Sequence, residues 1–265
     1  MWAFGLFSVI LQTVTPTKNW LKDFQSTGKK CLSVLFDPDD SNEEMHEVLE
    51  TALMHGIDLF LVGGSLVTRG NTGKCVQLLK SGGAPRVILF PGNEIQVAEN
   101  ADGILFISLV SGRNPEYLIG KQVTAAPAVK KSGMEVLSCA YMLVDGGKTT
   151  SANYISQTLP IPGDKPEIAV ATAMASEMMG MQHIYMDAGS GAIQPVPEKM
   201  IQAVRNNVQG VLIVGGGIRN ANDAARAWSS GADVVVIGNG AFENPGIIKE
   251  MSAVLQKLNS NNIVV

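Results

Sequence analysis

Short apolar runs alternate with amphipathic segments along most of the chain. The runs are rich in β-branched residues and end in glycine, proline, serine or aspartate, which is typical of parallel strands buried on both faces. The clearest run, 211–214, leads into Gly215, Gly216 and Gly217 before a helical pattern begins at Asn220. The same order recurs at Val234–Ile237, which is followed by Gly238, Asn239 and Gly240. Each unit predicts a strand joined to a helix by a glycine loop.

Earlier apolar runs continue this pattern back to residue 31. The predicted strands are 31–36, 57–62, 87–90, 103–109, 135–144, 183–187, 211–214 and 234–237. Only about a dozen residues lie between Phe90 and Gly103, which is barely enough for a crossover that contains a full helix. We therefore predict an α/β fold, a (β/α)8 TIM barrel with a degenerate third helix.

The length of the chain fits one such domain. A TIM barrel typically takes about 250 residues, and this chain has 265. We predict a single domain over residues 1–265, with an N-terminal extension over about residues 1–28. The apolar run 2–11 is too short to span a bilayer and lacks the features of a signal peptide. We expect it to pack on the domain, with transient membrane-surface contact as the alternative.

Charge and cysteine content narrow the function classes. The formal net charge is -4 and the pI is near 5.4, without a long run of basic residues, so nucleic acid is not an expected partner. The three cysteines, Cys31, Cys75 and Cys139, are odd in number and widely spaced, which argues against a disulfide framework. We expect a cytoplasmic protein that forms a homo-oligomer.

Candidate chemistry lies where the predicted strands end, because ligands of TIM barrels bind at the C-terminal face. These positions carry Asp37, Ser65, Asp187, Ser190, Gly215 to Gly217, Gly238 and Asn239. No cysteine or histidine pair there has metal-ligand spacing, which argues against zinc and against a thiol nucleophile. We expect His46, His55 and His183 to be structural.

Some of these features have two interpretations. A glycine loop before a helix directs unpaired N–H groups at a phosphate, but the glycines of the 215 loop taken alone could equally form a tight turn. Asp37 could hold a hard cation such as Mg²⁺, or it could simply begin an Asp-Pro turn. Residues 145–165 show no clear helix or strand pattern, and we predict that they form an active-site lid, in which Lys165 either meets a phosphate or is solvated.

The motifs of the whole chain resemble, in their order, those of geranylgeranylglyceryl phosphate synthases. The resemblance covers residues 31 to 258 approximately. It rests on Phe36-Asp37-Pro38-Asp39, Val62-Gly63-Gly64-Ser65, Tyr117-Leu118-Ile119-Gly120 with Ala125-Ala126-Pro127, Pro160-Ile161-Pro162 with Lys165-Pro166-Glu167-Ile168, Tyr185 to Ala192, the Gly215 loop, and Gly238-Asn239.

The resemblance implies a Mg²⁺-dependent prenyltransferase that joins a prenyl diphosphate, geranylgeranyl diphosphate above others, to sn-glycerol 1-phosphate. It assigns Asp37 and Ser65 to the Mg²⁺ ion that neutralises the leaving diphosphate. It assigns Asp187 as the base for the glycerol hydroxyl. The positions that it assigns to sn-glycerol 1-phosphate are Tyr185, Met186, Asp187, Ala188, Gly189, Ser190, Gly191, Gly215, Gly216, Gly217, Gly238 and Asn239.

Four positions depart from the family pattern. Asp187 stands where glutamate is common, Asp40 where lysine is usual, Lys121 where asparagine is frequent and Gly163 where arginine is common. These departures predict either a changed donor preference or a weakened enzyme. Two other functions therefore stay open: an isomerase or synthase acting on a small sugar phosphate, and a catalytically decayed barrel kept for binding.

Overall fold

The computed structural model describes residues 16–261 as a closed barrel of eight parallel strands. Each strand pairs with its neighbours in sequence, and β8 closes the ring by pairing with β1. The strands are β1 (Cys31–Phe36), β2 (Leu59–Val62), β3 (Val87–Leu89), β4 (Gly103–Leu109), β5 (Glu135–Leu143), β6 (His183–Asp187), β7 (Val211–Gly215) and β8 (Val234–Ile237). The predicted TIM barrel is confirmed.

Helices surround the barrel in the order that the sequence indicates. They are α1 (Thr17–Ser26), α2 (Asn42–Met54), α3 (Thr72–Ser81), α4 (Lys121–Ser132), α5 (Ser151–Ser156), α6 (Pro166–Met178), α7 (Glu198–Arg205), α8 (Ala221–Ser229), α9 (Asn239–Glu243) and α10 (Gly246–Asn261). Among the described residues, no helix has both the length and the apolar content needed to cross a membrane.

The connection between β3 and β4 is the thinnest part of the wall. Where a full helix would normally lie, it forms one 3-10 turn, Glu94–Gln96. The chain then passes from β4 through a π-helical turn, Glu116–Gly120, into α4. The degenerate third helix predicted from the short spacing is therefore confirmed.

Strand geometry decides which side chains reach the interior. Because successive residues of a strand point to opposite faces, Tyr185 of β6 lies inside the barrel, whereas Ile184 and Met186 pack outward in the layer beneath the helices. Four boundaries differ from the sequence prediction: β3 and β5 end one residue earlier than predicted, β7 ends one residue later, and β2 begins two residues later. β2 begins at Leu59, not at residue 57, because the Ile57 N–H group donates to the Ala52 carbonyl and completes the end of α2.

Helix α1 packs at the N-terminal end of the barrel. The Glu135 carboxylate at the start of β5 accepts hydrogen bonds from the Thr17 and Lys18 N–H groups at 2.7 and 2.8 Å, which satisfies two free donors of the helix. Leu21 is buried in the interior cluster, and the Arg86 guanidinium lies 4.4 Å from the Trp20 ring centroid. The apolar run 2–11 lies outside the described residues.

Candidate active site at the barrel mouth

A cavity of about 1210 Å³ opens at the C-terminal ends of the strands. This is the end at which TIM barrels bind their ligands. Its walls include the metal-loop candidates Asp37 and Ser65, the carboxylate of Asp187, and two of the predicted phosphate loops around Gly217 and Gly238. The structure therefore brings residues that are far apart in sequence into one enclosed space.

Asp187 ends β6 with its carboxylate facing this cavity. Its Oδ2 accepts the Tyr141 hydroxyl at 2.6 Å, and its Oδ1 accepts the Gly189 N–H group at 2.7 Å. Burial raises the pKa of Asp187, while the hydrogen bonds from Tyr141 and Gly189 oppose that rise. The result is a fixed carboxylate that is more basic than an exposed aspartate, which suits a proton acceptor.

Three aromatic rings form the floor below Asp187. Phe90 stacks on Tyr185 with centroids 4.8 Å apart, and Tyr141 meets both rings edge to face. Gly215 leaves room for the Tyr185 hydroxyl, since a Cβ there would lie 2.5 Å from its oxygen. The floor is therefore rigid, and it holds Tyr141 in place beneath the carboxylate.

Glycine backbone forms the wall on the side of β6, β7 and β8. Gly189, Gly191, Gly216 and Gly217 all have positive φ angles between 70° and 87°, a conformation that other residues rarely adopt. In the described part of the chain, the N–H groups of Gly191, Gly217 and Ile218 donate to no backbone carbonyl. These free donors beside the cavity are the arrangement that binds phosphate.

Two of the loops are also linked to each other. The Ser190 hydroxyl lies 3.2 Å from the Asn239 side-chain oxygen, which joins the loop after β6 to the loop after β8. A Cβ on Gly216 would overlap the Asp187 carboxylate, and one on Gly217 would lie 2.7 Å from the Gln194 carbonyl. The loops therefore pack closely enough that the glycines are required by space as well as by conformation.

Carboxylates dominate the opposite side of the mouth. Burial raises the pKa of Asp37, and burial together with the Asp37 charge raises the pKa of Asp40 to about 6. Asp37 Oδ1 accepts the Asp39 N–H group at 3.0 Å, and Gly64 packs against Oδ2. Half-buried Ser65 also lines this side. Among residues 16–261, no group of three or more His, Cys, Asp or Glu side chains has metal-binding geometry.

An apolar arm extends the cavity into the thin wall between β3 and α4. Val97, Ile104, Phe106 and Ala125 line it, at the place where a full third helix would otherwise pack. The cavity thus joins a polar mouth to an apolar channel. A ligand with a charged head and a hydrocarbon tail matches this division.

Part of the segment 145–165, which we predicted as a lid, lines the mouth, and the segment is not wholly irregular. It contains the short helix α5, whose N-cap Thr150 shares a capping box with Asn153. The prediction that this segment lacks a helix was wrong because six residues are too few to show a helical period. Residues of α5, including Ala152 and Ile155, line the cavity.

The predicted site residues divide into two groups. Those that line the cavity are Asp37, Ser65, Tyr185, Asp187, Ser190, Gly191, Gly216, Gly217, Gly238 and Asn239. The others lie just behind the wall: Met186 and Ala188 are buried in the outer layer, and Gly189 and Gly215 support Asp187 and Tyr185 from behind. His46, His55 and His183 do not line the cavity.

Sequence reasoning missed several residues of the site. Tyr141 bonds to Asp187, Arg219 lines the mouth and donates to the Ala192 carbonyl at 2.7 Å, and Glu94 pairs with Lys121 at 3.1 Å. Tyr141 could have been found, because it shares the inward face of β5 with Cys139 and Leu143. The Glu94–Lys121 pair could not, because its partners come from two separate elements.

The remaining departures from the family pattern take different places. Asp40 lines the cavity beside Asp37, whereas Gly163 lies in the lid segment itself, near Asp145 and Pro197, and does not line the cavity. Lys165 is exposed, lies 4.0 Å from Asp164 and does not line the cavity.

Known proteins share both the sequence and the fold of this chain. The PcrB family model matches residues 26–257. A geranylgeranylglyceryl phosphate synthase from Chitinophaga pinensis is 47% identical over 87% of this chain and 92% of its own length. One from Spirosoma linguale is 44% identical over 91% of this chain and 97% of its own length.

A solved structure agrees with these relatives. It is the (S)-3-O-geranylgeranylglyceryl phosphate synthase of Thermoplasma acidophilum in complex with its substrate sn-glycerol-1-phosphate, and it superposes with a TM-score of 0.82. It is 28% identical to this chain and covers 91% of this chain and 98% of its own. The resemblance indicated by the ordered motifs is thereby confirmed, and the chain belongs to the PcrB family.

Proposed function

We propose that the protein is a prenyltransferase that joins a long-chain prenyl diphosphate to sn-glycerol 1-phosphate. The product is an ether-linked prenylglyceryl phosphate, diphosphate is released, and geranylgeranyl diphosphate is the expected donor. The observation that carries this proposal is the cavity itself, in which phosphate-binding glycine loops and a buried carboxylate adjoin an apolar arm. The named relatives and the Thermoplasma acidophilum complex support the same reaction.

The acceptor belongs on the glycine side of the cavity. Free N–H groups of Gly191, Gly217 and Ile218 suit its phosphate, because backbone donors cost no reorganisation when an anion binds. Asp187 lies next to these loops, since Gly189 donates to it and Gly216 packs against it. An acceptor held there by its phosphate presents its glycerol hydroxyl to the carboxylate.

The donor belongs on the opposite side, with its tail in the apolar arm. Asp37 fits a Mg²⁺ site, because the residue is half-buried at the mouth and Mg²⁺ commonly takes one or two protein carboxylates with substrate phosphates and water. Asp37 would hold the ion with Ser65, and the ion would supply positive charge to the leaving diphosphate.

Bond changes balance without a protein nucleophile. The bond between the allylic carbon and the diphosphate oxygen breaks, and its electron pair leaves with diphosphate. The glycerol oxygen bonds to that carbon, and its proton passes to Asp187. Helix α5 lines the mouth, and its closure over the bound substrates would exclude water, which would otherwise compete with glycerol for the electron-poor carbon.

Other aspects of the function also remain proposals. We also propose that the protein depends on Mg²⁺, forms a homo-oligomer, is cytoplasmic and contacts the membrane surface transiently during product release. A sugar-phosphate isomerase would use the same glycine loops, but it would have no use for the apolar arm along Ile104 and Phe106.

Product analysis tests the proposal. The protein is incubated with Mg²⁺, geranylgeranyl diphosphate and sn-glycerol 1-phosphate, and the organic extract is examined by mass spectrometry. We expect geranylgeranylglyceryl phosphate in amounts equal to the diphosphate released. Release of diphosphate with geranylgeraniol as the only organic product would refute the acceptor, and absence of turnover with retained binding would support a decayed enzyme.

A further inference from the structure

Carboxylates outnumber cations around the cavity. Six carboxylates line it, from Asp37, Asp40, Glu44, Glu94, Asp187 and Glu243. The cations among the described lining residues are Lys121, which is paired with Glu94, and Arg219, whose guanidinium donates to the neutral Ala192 carbonyl and keeps its charge. A phosphate monoester brings between one and two further negative charges at about pH 7. Glycine N–H groups supply only partial charges, so a free cation near these loops would have a large effect on affinity.

Lys148 is such a cation. Its Nζ lies 3.3 Å from the point at which a Cβ would stand on Gly191, directly over the loop that follows β6. Within the described residues, its ammonium has no hydrogen bond or ion pair. The backbone before it is held in a turn by the Gly147 N–H group, which donates to Asp145 Oδ1 at 2.9 Å. The backbone before Lys148 is therefore fixed, and the Lys148 ammonium is an unpaired cation beside free N–H donors.

Lys148 also belongs to the lid segment, and that segment is already attached to the same loop. The Gly146 carbonyl accepts the Ile193 and Gln194 N–H groups at 2.9 and 3.0 Å. Thr150, at the start of α5, packs on Gly189, where a Cβ would lie 2.5 Å from its Oγ1. An anion bound between Lys148 and the loop would add a third attachment and hold α5 over the cavity.

We propose that Lys148 is the cationic contact of the acceptor's phosphate and that this contact couples acceptor binding to the position of the lid. The inference rests on the proposed function. Its chemistry is a charge-assisted hydrogen bond from an ammonium to a phosphate oxygen, next to the N–H group of Gly191. The coupling makes the acceptor close the site before the donor ionises, which keeps water from the reacting carbon.

Calorimetric titration of the full-length protein with sn-glycerol 1-phosphate tests the contact. Lys148→Ala should weaken binding roughly tenfold to a hundredfold, the range of a lost hydrogen bond to a charged group. Lys148→Arg should retain most of the affinity because it keeps the charge. Lys165→Ala is the matched control, since Lys165 is an exposed lysine of the same segment that lies beside Asp164 and not at Gly191, and the affinity of this variant should equal that of the parent.

Hydrogen exchange of residues 146–157 tests the coupling. Saturating sn-glycerol 1-phosphate should slow the exchange of these residues in the parent and in Lys165→Ala. In Lys148→Ala, at a ligand concentration that also saturates this variant, exchange should slow much less. Equal affinity of Lys148→Ala and the parent would overturn the contact. Weaker affinity with full protection of the lid would overturn the coupling.

The same titration separates this inference from the proposed function. If the parent binds inorganic phosphate but not sn-glycerol 1-phosphate, the acceptor assignment fails. Weaker phosphate binding by Lys148→Ala would then still support Lys148 as the anion contact. A parent that binds neither ligand would refute both.

Discussion

The two sides of the barrel mouth differ in the groups that they offer to an anion. Around β6, β7 and β8 the wall is glycine backbone, with positive φ angles and free N–H groups at Gly191 and Gly217. Around β1 and β2 the wall carries carboxylates, led by Asp37, which need a cation between themselves and any phosphate. The difference suits two substrates: one phosphate that stays bound throughout, and one diphosphate that must leave with its charge neutralised.

Removing the proton acceptor Asp187, which lies between the two substrate sites, should have the largest effect on turnover. Asp187→Asn keeps the shape of the side chain and loses the proton acceptor, so turnover should fall roughly 100-fold to 10,000-fold while acceptor affinity stays nearly unchanged. Steady-state kinetics and calorimetry measure the two quantities. Asp187→Glu, which restores the residue common in the family, is the control and should retain or raise activity. Normal turnover in Asp187→Asn would place the base elsewhere.

Removing the Asp37 carboxylate on the donor side should have the second-largest effect on turnover. Asp37→Ala should lose most of its turnover, because the diphosphate would leave without charge compensation, and excess EDTA should do the same to the parent. Titration of activity with MgCl₂ measures the effect, and Ser65→Ala should be milder since a hydroxyl is a weaker ligand. Full activity of the parent in EDTA would contradict this expectation.

Filling the apolar arm should affect the donor alone. Ala125→Trp places a large ring in the channel, and kcat/KM for geranylgeranyl diphosphate should fall about tenfold or more, as expected when a tail is displaced from its site. The acceptor's Kd should not change. Ala128→Trp is the control, because Ala128 is exposed on the same helix. Equal kinetics of the two variants would place the tail outside this arm.

Removing the Tyr141 hydroxyl beneath the Asp187 carboxylate should have a smaller effect, on the pH dependence of the rate. Burial raises the pKa of Asp187, so the acidic limb of the pH–rate profile should lie above the usual range of an aspartate. The Tyr141 hydroxyl stabilises the ionised carboxylate, and Tyr141→Phe should therefore raise that pKa and move the limb to higher pH. Profiles of kcat/KM measure the shift. An unchanged limb would mean that this hydrogen bond does not tune the base.

The eight strands of the barrel could be predicted from the sequence, because each buried strand is closely followed by a glycine, proline or polar residue that marks its boundary. Even the degenerate helix followed from the distance between Phe90 and Gly103. The glycine side of the site was also predictable, since its function lies in consecutive residues after single strands. Helix α5 was missed because it is one short turn inside a segment rich in glycine and proline.

Contacts between distant elements could not be predicted in this way. Lys148 reaches Gly191 from the lid, and Glu94 pairs with Lys121 across the gap in the wall. Neither contact has a local signal, because each depends on how far a flexible side chain extends once two loops are packed together. Such residues determine charge balance at the mouth, so the finer specificity of the site is decided where the sequence is least informative.

The division of the mouth into two sides predicts that the two substrates bind at the same time. The affinity of sn-glycerol 1-phosphate is measured by calorimetry with and without Mg²⁺ and a saturating, non-reactive thiodiphosphate analogue of the donor. If the glycine side and the carboxylate side hold separate ligands, the acceptor's Kd stays the same or becomes tighter. If the analogue instead raises that Kd in proportion to its concentration, both ligands compete for one site and the division of the mouth is wrong.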